Sequence, residues 1–257
     1  MMSMVTLQDR FVRTGTVRTH YVEAGQGPPL VLILGVFILA RTYRGLISRL
    51  CSQFHTIVPD LPGSGLSGGL PAPWIFEQYA DWTGCFLDAL RLERAIIAGH
   101  SNGGGVALVT AAKHPERIEM LVLVDTVRAR ASASPIGVIG GRTIDASLEL
   151  GLNLVAWKHV VYNLTYHHRT FKHQLRAAIT ANLLPYASQI EAPTLLAWGR
   201  QDWTMPLDCA LRLQALIPWS ELYVSDASHD WLITEPDEFA RAVSRFVKRH
   251  EPQQVGA

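Results

Sequence analysis

The sequence predicts an α/β protein with a mostly parallel central sheet, helices on both faces of the sheet and a helical cap insertion. Short apolar runs alternate with amphipathic segments of helical length along most of the chain, as they do in parallel α/β sheets. This alternation stops between residues 127 and 191, where the pattern is helical throughout. A chain of 257 residues with 48% hydrophobic and 18% charged residues is long enough to bury one large core without disulfides or metals.

The predicted strands are of two kinds. Residues 16–24 alternate between apolar and polar side chains, which is typical of an antiparallel edge strand. The other runs are short and continuously apolar, as expected for parallel strands that are buried on both faces. They span residues 30–34, 56–59, 95–98, 120–124 and 194–198, with a further candidate at 222–224.

The amphipathic segments between these strands predict the flanking helices, which span residues 42–51, 76–90, 102–114, 207–216 and 236–249. Within the interruption, residues 144–168 and 170–184 predict two more helices. We therefore expect a core of residues 1–126 and 192–257 and a cap of residues 127–191. Ligands of open α/β sheets bind beyond the carboxyl ends of the strands, so we expect the functional site there, under the cap.

The charge distribution excludes some partners. The chain has 23 Lys and Arg against 22 Asp and Glu, whereas nucleic-acid-binding proteins usually show a clear basic excess. Seven basic residues and two acidic ones fall within residues 127–190. This basic segment is either a solvated face or an attraction for an anionic substrate, and the sequence leaves both interpretations open.

Cysteine usage and hydropathy indicate the compartment. The three cysteines are scattered and contain no C-x-x-C pair, which favours free thiols. The first 15 residues lack the apolar stretch of a secretory signal. The most apolar run, residues 29–40, is shorter than the roughly 20 residues that span a bilayer. We therefore expect a cytoplasmic protein without an integral membrane segment, as a monomer or homodimer.

A G-x-S-x-G motif provides the candidate nucleophile. Residues 99–103 read GHSNG and stand between an apolar strand and a helix, the context in which this motif forms a nucleophile elbow. Bulky side chains at Gly99 and Gly103 would collide with the neighbouring strand and helix. The alternative, a glycine-rich turn in which Ser101 merely caps a helix, does not account for the strand that precedes it.

This arrangement resembles the α/β-hydrolase fold family over nearly the whole chain outside residues 127–191. A second signature, PDLPGSGLS at residues 59–67, is similar to the family's D-x-x-G-x-G-x-S loop. We interpret Asp60 in that loop as a structural residue that binds backbone N–H groups. The resemblance implies a catalytic triad in the chain order serine, acid, histidine.

Two further residues complete the predicted triad. Of the ten histidines, only His229 and His250 lie well after residue 175, and His250 stands in a charged C-terminal segment. His229 follows the last strand, which matches the family's histidine. Residues 199–206 resemble the family's G-x-x-D-x-x-x-P turn and identify Asp202 as the acid. Asp125, directly after an earlier strand, remains the alternative.

The resemblance also implies an oxyanion hole made by the backbone N–H groups of Val36 and Asn102. Leu34 stands where the family usually carries a histidine, which makes this wall of the site apolar. We expect the substrate pocket to include Phe37, Trp203 and Trp231.

No metal or cofactor is expected. His167, His168 and His173 do not share one helical face, and no cysteine or nearby carboxylate completes a ligand set. No G-x-G-x-x-G follows a strand, so a dinucleotide cofactor is not expected either.

The predicted function is a serine hydrolase that cleaves small-molecule carboxylic esters through an acyl-enzyme on Ser101, with short to medium hydrophobic acyl chains preferred. Relatives with the same triad leave two other reactions open, hydrolysis of C–C bonds and perhydrolysis of the haloperoxidase type. A ligand receptor that keeps the fold but turns over slowly is a further alternative, because fold does not settle function.

Overall fold

An eight-stranded sheet forms the centre of the computed structural model, which describes residues 6–35, 38–127 and 135–251. The strands are β1 Gln8–Thr14, β2 Val17–Ala24, β3 Pro29–Ile33, β4 His55–Pro59, β5 Ala95–His100, β6 Ile118–Val124, β7 Thr194–Gly199 and β8 Ser220–Ser225. Their order across the sheet is β1-β2-β4-β3-β5-β6-β7-β8. Strand β2 runs antiparallel to β1 and β4, and all the other neighbours are parallel. The predicted mostly parallel α/β sheet is therefore confirmed.

Helices cover both faces of this sheet. They are α1 Arg44–Leu50, α2 Phe76–Ala89, α3 Asn102–Lys113, α4 Pro135–Leu148, α5 Leu150–Tyr166, α6 His168–Thr180, α7 Leu184–Ala187, α8 Asp208–Leu216, α9 Trp231–Thr234 and α10 Pro236–His250. Helices α2, α3 and α8 share one hydrophobic core with the sheet, and α1 and α10 share the other. Within the described ranges, no helix is both long and apolar enough to cross a membrane.

Strand β5 shows how the two cores form. Ile97 packs into the core under α2 and α3, whereas Ile96 and Ala98 pack into the core under α1 and α10. Successive side chains of a strand point to opposite faces, and all six residues of β5 are buried. A continuously apolar run is therefore required at this central position.

The register of the parallel strands gathers four loops at one edge of the sheet. His100 at the end of β5 pairs with Val124 of β6, and Gly199 at the end of β7 pairs with Ser225 of β8. The chain leaves each strand at its carboxyl end. The loops that follow β5, β6, β7 and β8 carry Ser101, Asp125, Asp202 and His229, respectively.

The N-terminal edge of the sheet differs from the sequence prediction. Residues 16–24, predicted as an edge strand, form β2 in the interior of the sheet between β1 and β4, and β1 is the edge strand. Most of β1 is exposed. Because an exposed edge strand buries neither face, its polar residues carry no apolar alternation that would predict it.

Between β6 and β7 the chain forms helices α4–α7, for which we keep the name cap. The single helix predicted over residues 144–168 is wrong, because the chain breaks at Glu149 between α4 and α5 with φ −106° and ψ 36°. The Glu149 carboxylate is buried and accepts hydrogen bonds from the loop after β8. A long-range contact therefore decides this break. The helix predicted over residues 170–184 ends earlier, at Thr180.

Candidate active site

Ser101 lies at a strained turn between β5 and α3. Its backbone has φ 53° and ψ −117°, and positive φ is uncommon for residues other than glycine. A Cβ atom at Gly99 would collide with the Gly103 carbonyl oxygen, and one at Gly103 would collide with the carbonyl oxygens of Ile33 and Leu34. The turn therefore requires glycine at both motif positions. Backbone strain of this kind concentrates at functional sites.

The three side chains predicted as a triad lie in one hydrogen-bonded chain. His229 Nε2 is 3.0 Å from Ser101 Oγ, and His229 Nδ1 is 2.8 Å from Asp202 Oδ2. The other oxygen of Asp202 accepts the Met205 N–H at 2.6 Å. Because the carboxylate accepts the Nδ1–H, Nε2 of the neutral ring is left to accept the proton of the Ser101 hydroxyl.

The electrostatics make the His229 ring a stronger base than a free imidazole. Burial alone would lower the pKa of His229, but the negative charge and the hydrogen bond of Asp202 outweigh burial and raise it. The same interaction stabilises the imidazolium that forms when the ring removes a proton from a serine. Geometry and charge thus suit His229 to act as a general base.

A second carboxyl group, Asp125, lies beside Asp202. Its oxygens accept the Gly199 N–H at 2.9 Å and the Trp231 Nε1–H at 2.8 Å. Burial, followed by the nearby Asp202 charge, raises the pKa of Asp125 well above its usual range. Asp202, rather than Asp125, is the hydrogen-bond partner of the His229 ring.

This cluster also bears on metal binding. Asp125, Asp202 and His229 bring potential ligand atoms within 4.8 Å of one another. The oxygens of both carboxyl groups already accept hydrogen bonds from the protein, and Nδ1 of the ring already donates one. These atoms are therefore engaged within the protein, and the arrangement fits proton transfer.

Part of the predicted oxyanion hole can be located. Asn102 is the first residue of α3, so its N–H is one of the four that have no acceptor within the helix. Val36 and Phe37, the predicted second donor and a predicted pocket residue, lie outside the described residues. Their neighbour Gly35 is close to the site, because a Cβ atom there would lie 3.3 Å from Ser101 Cβ.

The two tryptophans predicted for the substrate pocket have different environments. Trp203 follows Asp202 and is 57% exposed, and its role remains a prediction. Trp231 is fully buried, stacks on Tyr223 and contacts Phe239. It is therefore a core residue beneath the site, and its assignment to the pocket is corrected.

Sequence reasoning gave no role to His100, the residue before Ser101. Its Nε2–H donates to the His229 carbonyl oxygen at 3.1 Å, and its Nδ1 accepts from the Tyr43 hydroxyl at 3.0 Å. Complete burial lowers the pKa of His100 to about 4, so the ring is neutral. It ties the nucleophile turn to the histidine loop, and only its place within the motif could have indicated this.

The basic segment of the cap also includes a partly exposed arginine whose charge is paired with two buried carboxyl groups. Arg142 of α4 forms ion pairs with Glu149 at 3.1 Å and with Asp230 at 2.5 Å. Asp230 directly follows His229 in the chain. A buried connection between the cap and the histidine loop was not predicted from the sequence.

Comparison with known proteins supports the α/β-hydrolase fold. Residues 28–139 match the family model described as the alpha/beta hydrolase fold. The chain is 29% identical to an uncharacterized protein of Mycobacterium tuberculosis, over 96% of this chain and 82% of that one. It is 26% identical to 2-hydroxymuconate semialdehyde hydrolase of Pseudomonas sp. strain CF600, over 90% of both chains. The crystal structure of the enol-lactonase from Burkholderia xenovorans is similar with a TM-score of 0.79 and 23% identity, covering 93% of this chain and 100% of that one.

Proposed function

We propose that the chain, as a member of the α/β-hydrolase fold family, is a serine hydrolase of carboxylic esters. The observation that carries this proposal is the hydrogen-bonded chain from Ser101 Oγ through the His229 ring to Asp202, with distances of 3.0 and 2.8 Å. Serine is a weak nucleophile on its own, and a base that is oriented by a carboxylate activates it.

In the first half of the reaction, Ser101 Oγ attacks the ester carbonyl carbon while His229 Nε2 removes its proton. The negative charge that develops on the carbonyl oxygen is stabilised by the N–H of Asn102 and by a second donor, for which we propose Val36. One such donor contributes about 2.7–4 kcal/mol to transition-state stabilisation. His229 then protonates the departing alcohol, which leaves an acyl group on Ser101.

In the second half, a water molecule takes the place of the alcohol. His229 removes a proton from the water as it attacks the acyl carbon, and the same donors stabilise the oxyanion. The proton then returns to Ser101 Oγ and the carboxylic acid is released. In both halves Asp202 orients the His229 ring and stabilises its imidazolium.

We further propose that the acyl group is short to medium in length and hydrophobic. Support comes from the apolar sequence of residues 36–39, next to the predicted oxyanion donor. Rates on p-nitrophenyl esters of increasing acyl length test this preference, and faster turnover of charged or very polar acyl groups would overturn it.

The decisive experiment compares hydrolysis of p-nitrophenyl butyrate by the wild type and by Ser101→Ala. We expect clear turnover by the wild type and a loss of about 10⁴-fold or more in the variant. A fluorophosphonate probe should label the wild type and leave Ser101→Ala unlabelled. Equal turnover by both proteins would show that Ser101 is not the nucleophile.

Hydrolysis of a C–C bond is the second candidate. It is supported by the similarity to 2-hydroxymuconate semialdehyde hydrolase over 90% of the chain. The same wild-type and Ser101→Ala pair can be assayed with that semialdehyde. Serine-dependent turnover of the semialdehyde without turnover of simple esters would favour this candidate over ester hydrolysis.

A further inference from the structure

Helix α4 of the cap and the residue that follows it carry three charged side chains, two of which are buried carboxylates. Arg142 and Asp145 lie on α4 and Glu149 directly follows it, at spacings of three and four residues, so they lie along one side of the helix. Asp145 is completely buried and Glu149 nearly so. Buried carboxylates are costly unless they are paired or hydrogen-bonded, so their partners indicate what this face does.

Asp145 binds the loop that carries Asp202. Its Oδ1 accepts the Trp203 N–H at 3.1 Å, and its Oδ2 accepts the Thr204 N–H at 2.8 Å and the Thr204 hydroxyl at 2.5 Å. These are the two residues directly after Asp202. The helix lies so close to this loop that a Cβ atom at Gly141 would collide with the Trp203 carbonyl oxygen.

Glu149 binds the loop that carries His229. Its Oε1 accepts the Ser228 hydroxyl at 2.6 Å and the Asp230 N–H at 2.8 Å. One carboxylate oxygen thus receives a hydrogen bond from each of the two residues that flank the histidine. Such contacts fix the direction in which the intervening side chain leaves the backbone.

Arg142 binds both Glu149 and Asp230. Its guanidinium donates to Glu149 Oε2 at 3.1 Å and to Asp230 Oδ2 at 2.5 Å. Because two buried carboxyl groups share one cation, the pKa of Asp230 is lowered by Arg142 against the effect of burial, whereas burial and the Asp230 charge raise the pKa of Glu149 to about 7.

We infer that helix α4 positions the acid and the base of the triad, with Arg142, Asp145 and Glu149 as its positioning residues. In this view the cap is part of the catalytic framework in addition to covering the site. The inference rests on the proposed function, since it assigns a role in the chemistry of Ser101. Misplacement of a catalytic group by about 1 Å can cost on the order of 100-fold in rate.

The test compares Asp145→Ala, Glu149→Ala and the conservative Glu149→Gln in the full-length protein with p-nitrophenyl butyrate. We expect kcat to fall about 10- to 100-fold in the two alanine variants, with KM changed less than about twofold, because the Ser101 hydroxyl remains in place. Glu149→Gln keeps an oxygen that can accept from Ser228 and Asp230. It should therefore retain kcat within about threefold of the wild type.

A spectroscopic measurement separates positioning from general support of the fold. The proton of His229 Nδ1–H, shared with Asp202, should give a downfield ¹H NMR signal in the wild type that is absent in His229→Gln. We expect this signal to broaden or shift in the alanine variants. The control is Gln174→Ala, which removes a buried hydrogen bond of 2.9 Å between the cap and Tyr79 and should leave both kcat and the signal unchanged.

The possible outcomes separate this inference from the proposed function. Folded alanine variants with wild-type kcat and an unchanged signal would overturn it. If the alanine variants do not fold, Asp145→Asn decides, because its amide nitrogen replaces one of the two oxygens that accept from Trp203 and Thr204. Positioning predicts a lower kcat and a shifted signal in this variant, whereas a merely structural role predicts a lower Tm with no change in kcat or the signal. If the wild type does not hydrolyse esters, the proposed function fails while the NMR signal still tests the role of α4.

Discussion

The turn that carries Ser101 and the loops that carry Asp202 and His229 are held in place by different means. Ser101 is fixed by backbone packing, since the motif glycines allow α3 to pack against the carbonyl groups at the end of β3. The loops that carry Asp202 and His229 are fixed by side chains of α4, which stands more than 50 residues earlier in the chain. Ser101 is thus held by close backbone packing that the glycines beside it allow, whereas Asp202 and His229 are held by side chains from another part of the chain.

The largest effect should come from Asp202→Asn, which replaces the carboxylate that binds the His229 ring with an amide. We expect kcat to fall about 10⁴-fold, because an amide neither holds the reactive tautomer of His229 nor stabilises its imidazolium. Activity needs the neutral ring, so it rises with pH through the pKa of His229. Since Asp202 raises that pKa, the acid limb of the pH–rate profile should move to lower pH in the variant.

Asp125→Asn is the matched control for this prediction, because it makes the same substitution in the carboxyl group that lies beside Asp202. Asp125 does not contact the His229 ring in the way that Asp202 does, so a far smaller loss is expected. An equal loss in both variants would contradict the assignment of Asp202 as the acid.

The next largest effect tests the close backbone packing that holds the Ser101 turn. In Gly103→Ala the new Cβ atom would collide with backbone oxygens of Ile33 and Leu34, which cannot move without distorting β3. We expect the free energy of unfolding to fall by about 3 kcal/mol, measured by urea denaturation. Gly84→Ala in α2 meets open space and should be neutral or stabilising by about 1 kcal/mol. A stable, fully active Gly103→Ala would show that the turn does not depend on close packing.

The smallest predicted effect is a pH dependence of the free energy of unfolding, which comes from Glu149 at the end of α4. Burial raises the pKa of Glu149 from 4.5 to about 7, so between these values the folded protein binds a proton that the unfolded chain has released. The stability due to this proton is complete below pH 4.5 and is lost as the pH rises to about 7. The free energy of unfolding of the wild type, relative to that of Glu149→Gln, should therefore fall by about 2 kcal/mol across this range. A constant difference between the two proteins would contradict the assignment.

Features that depend on local pattern could be predicted from the sequence. The buried parallel strands and the serine turn follow from apolar runs and glycine spacing. Asp202 and His229 were identified by the resemblance to the α/β-hydrolase family, and the structure brings them together. The break at Glu149 could not be predicted, because it depends on hydrogen bonds to Ser228 and Asp230, about 80 residues away.

Other features escaped prediction for related reasons. Arg142 belongs to a basic segment that the sequence leaves open between a solvated face and an anion-attracting one, and nothing local shows that two carboxylates pair with it. Strand β1 buries neither face and so carries no apolar pattern. Trp231 was expected in the substrate pocket, but it is fully buried and its indole N–H donates to Asp125 in the core.

The insertion of the cap between β6 and β7 also has a consequence for how the protein forms. These strands are neighbours in the sheet although residues 125–193 separate them, so their pairing must close a loop of about 70 residues, and such distant contacts form slowly. The segment with Ser101 precedes the insertion, and those with Asp202 and His229 follow it. Because the chain is synthesised from its N-terminus, Ser101 leaves the ribosome well before Asp202 and His229, and the three residues can meet only after β8 has been made. A chain that stalls on the ribosome before β8 therefore contains Ser101 but lacks His229.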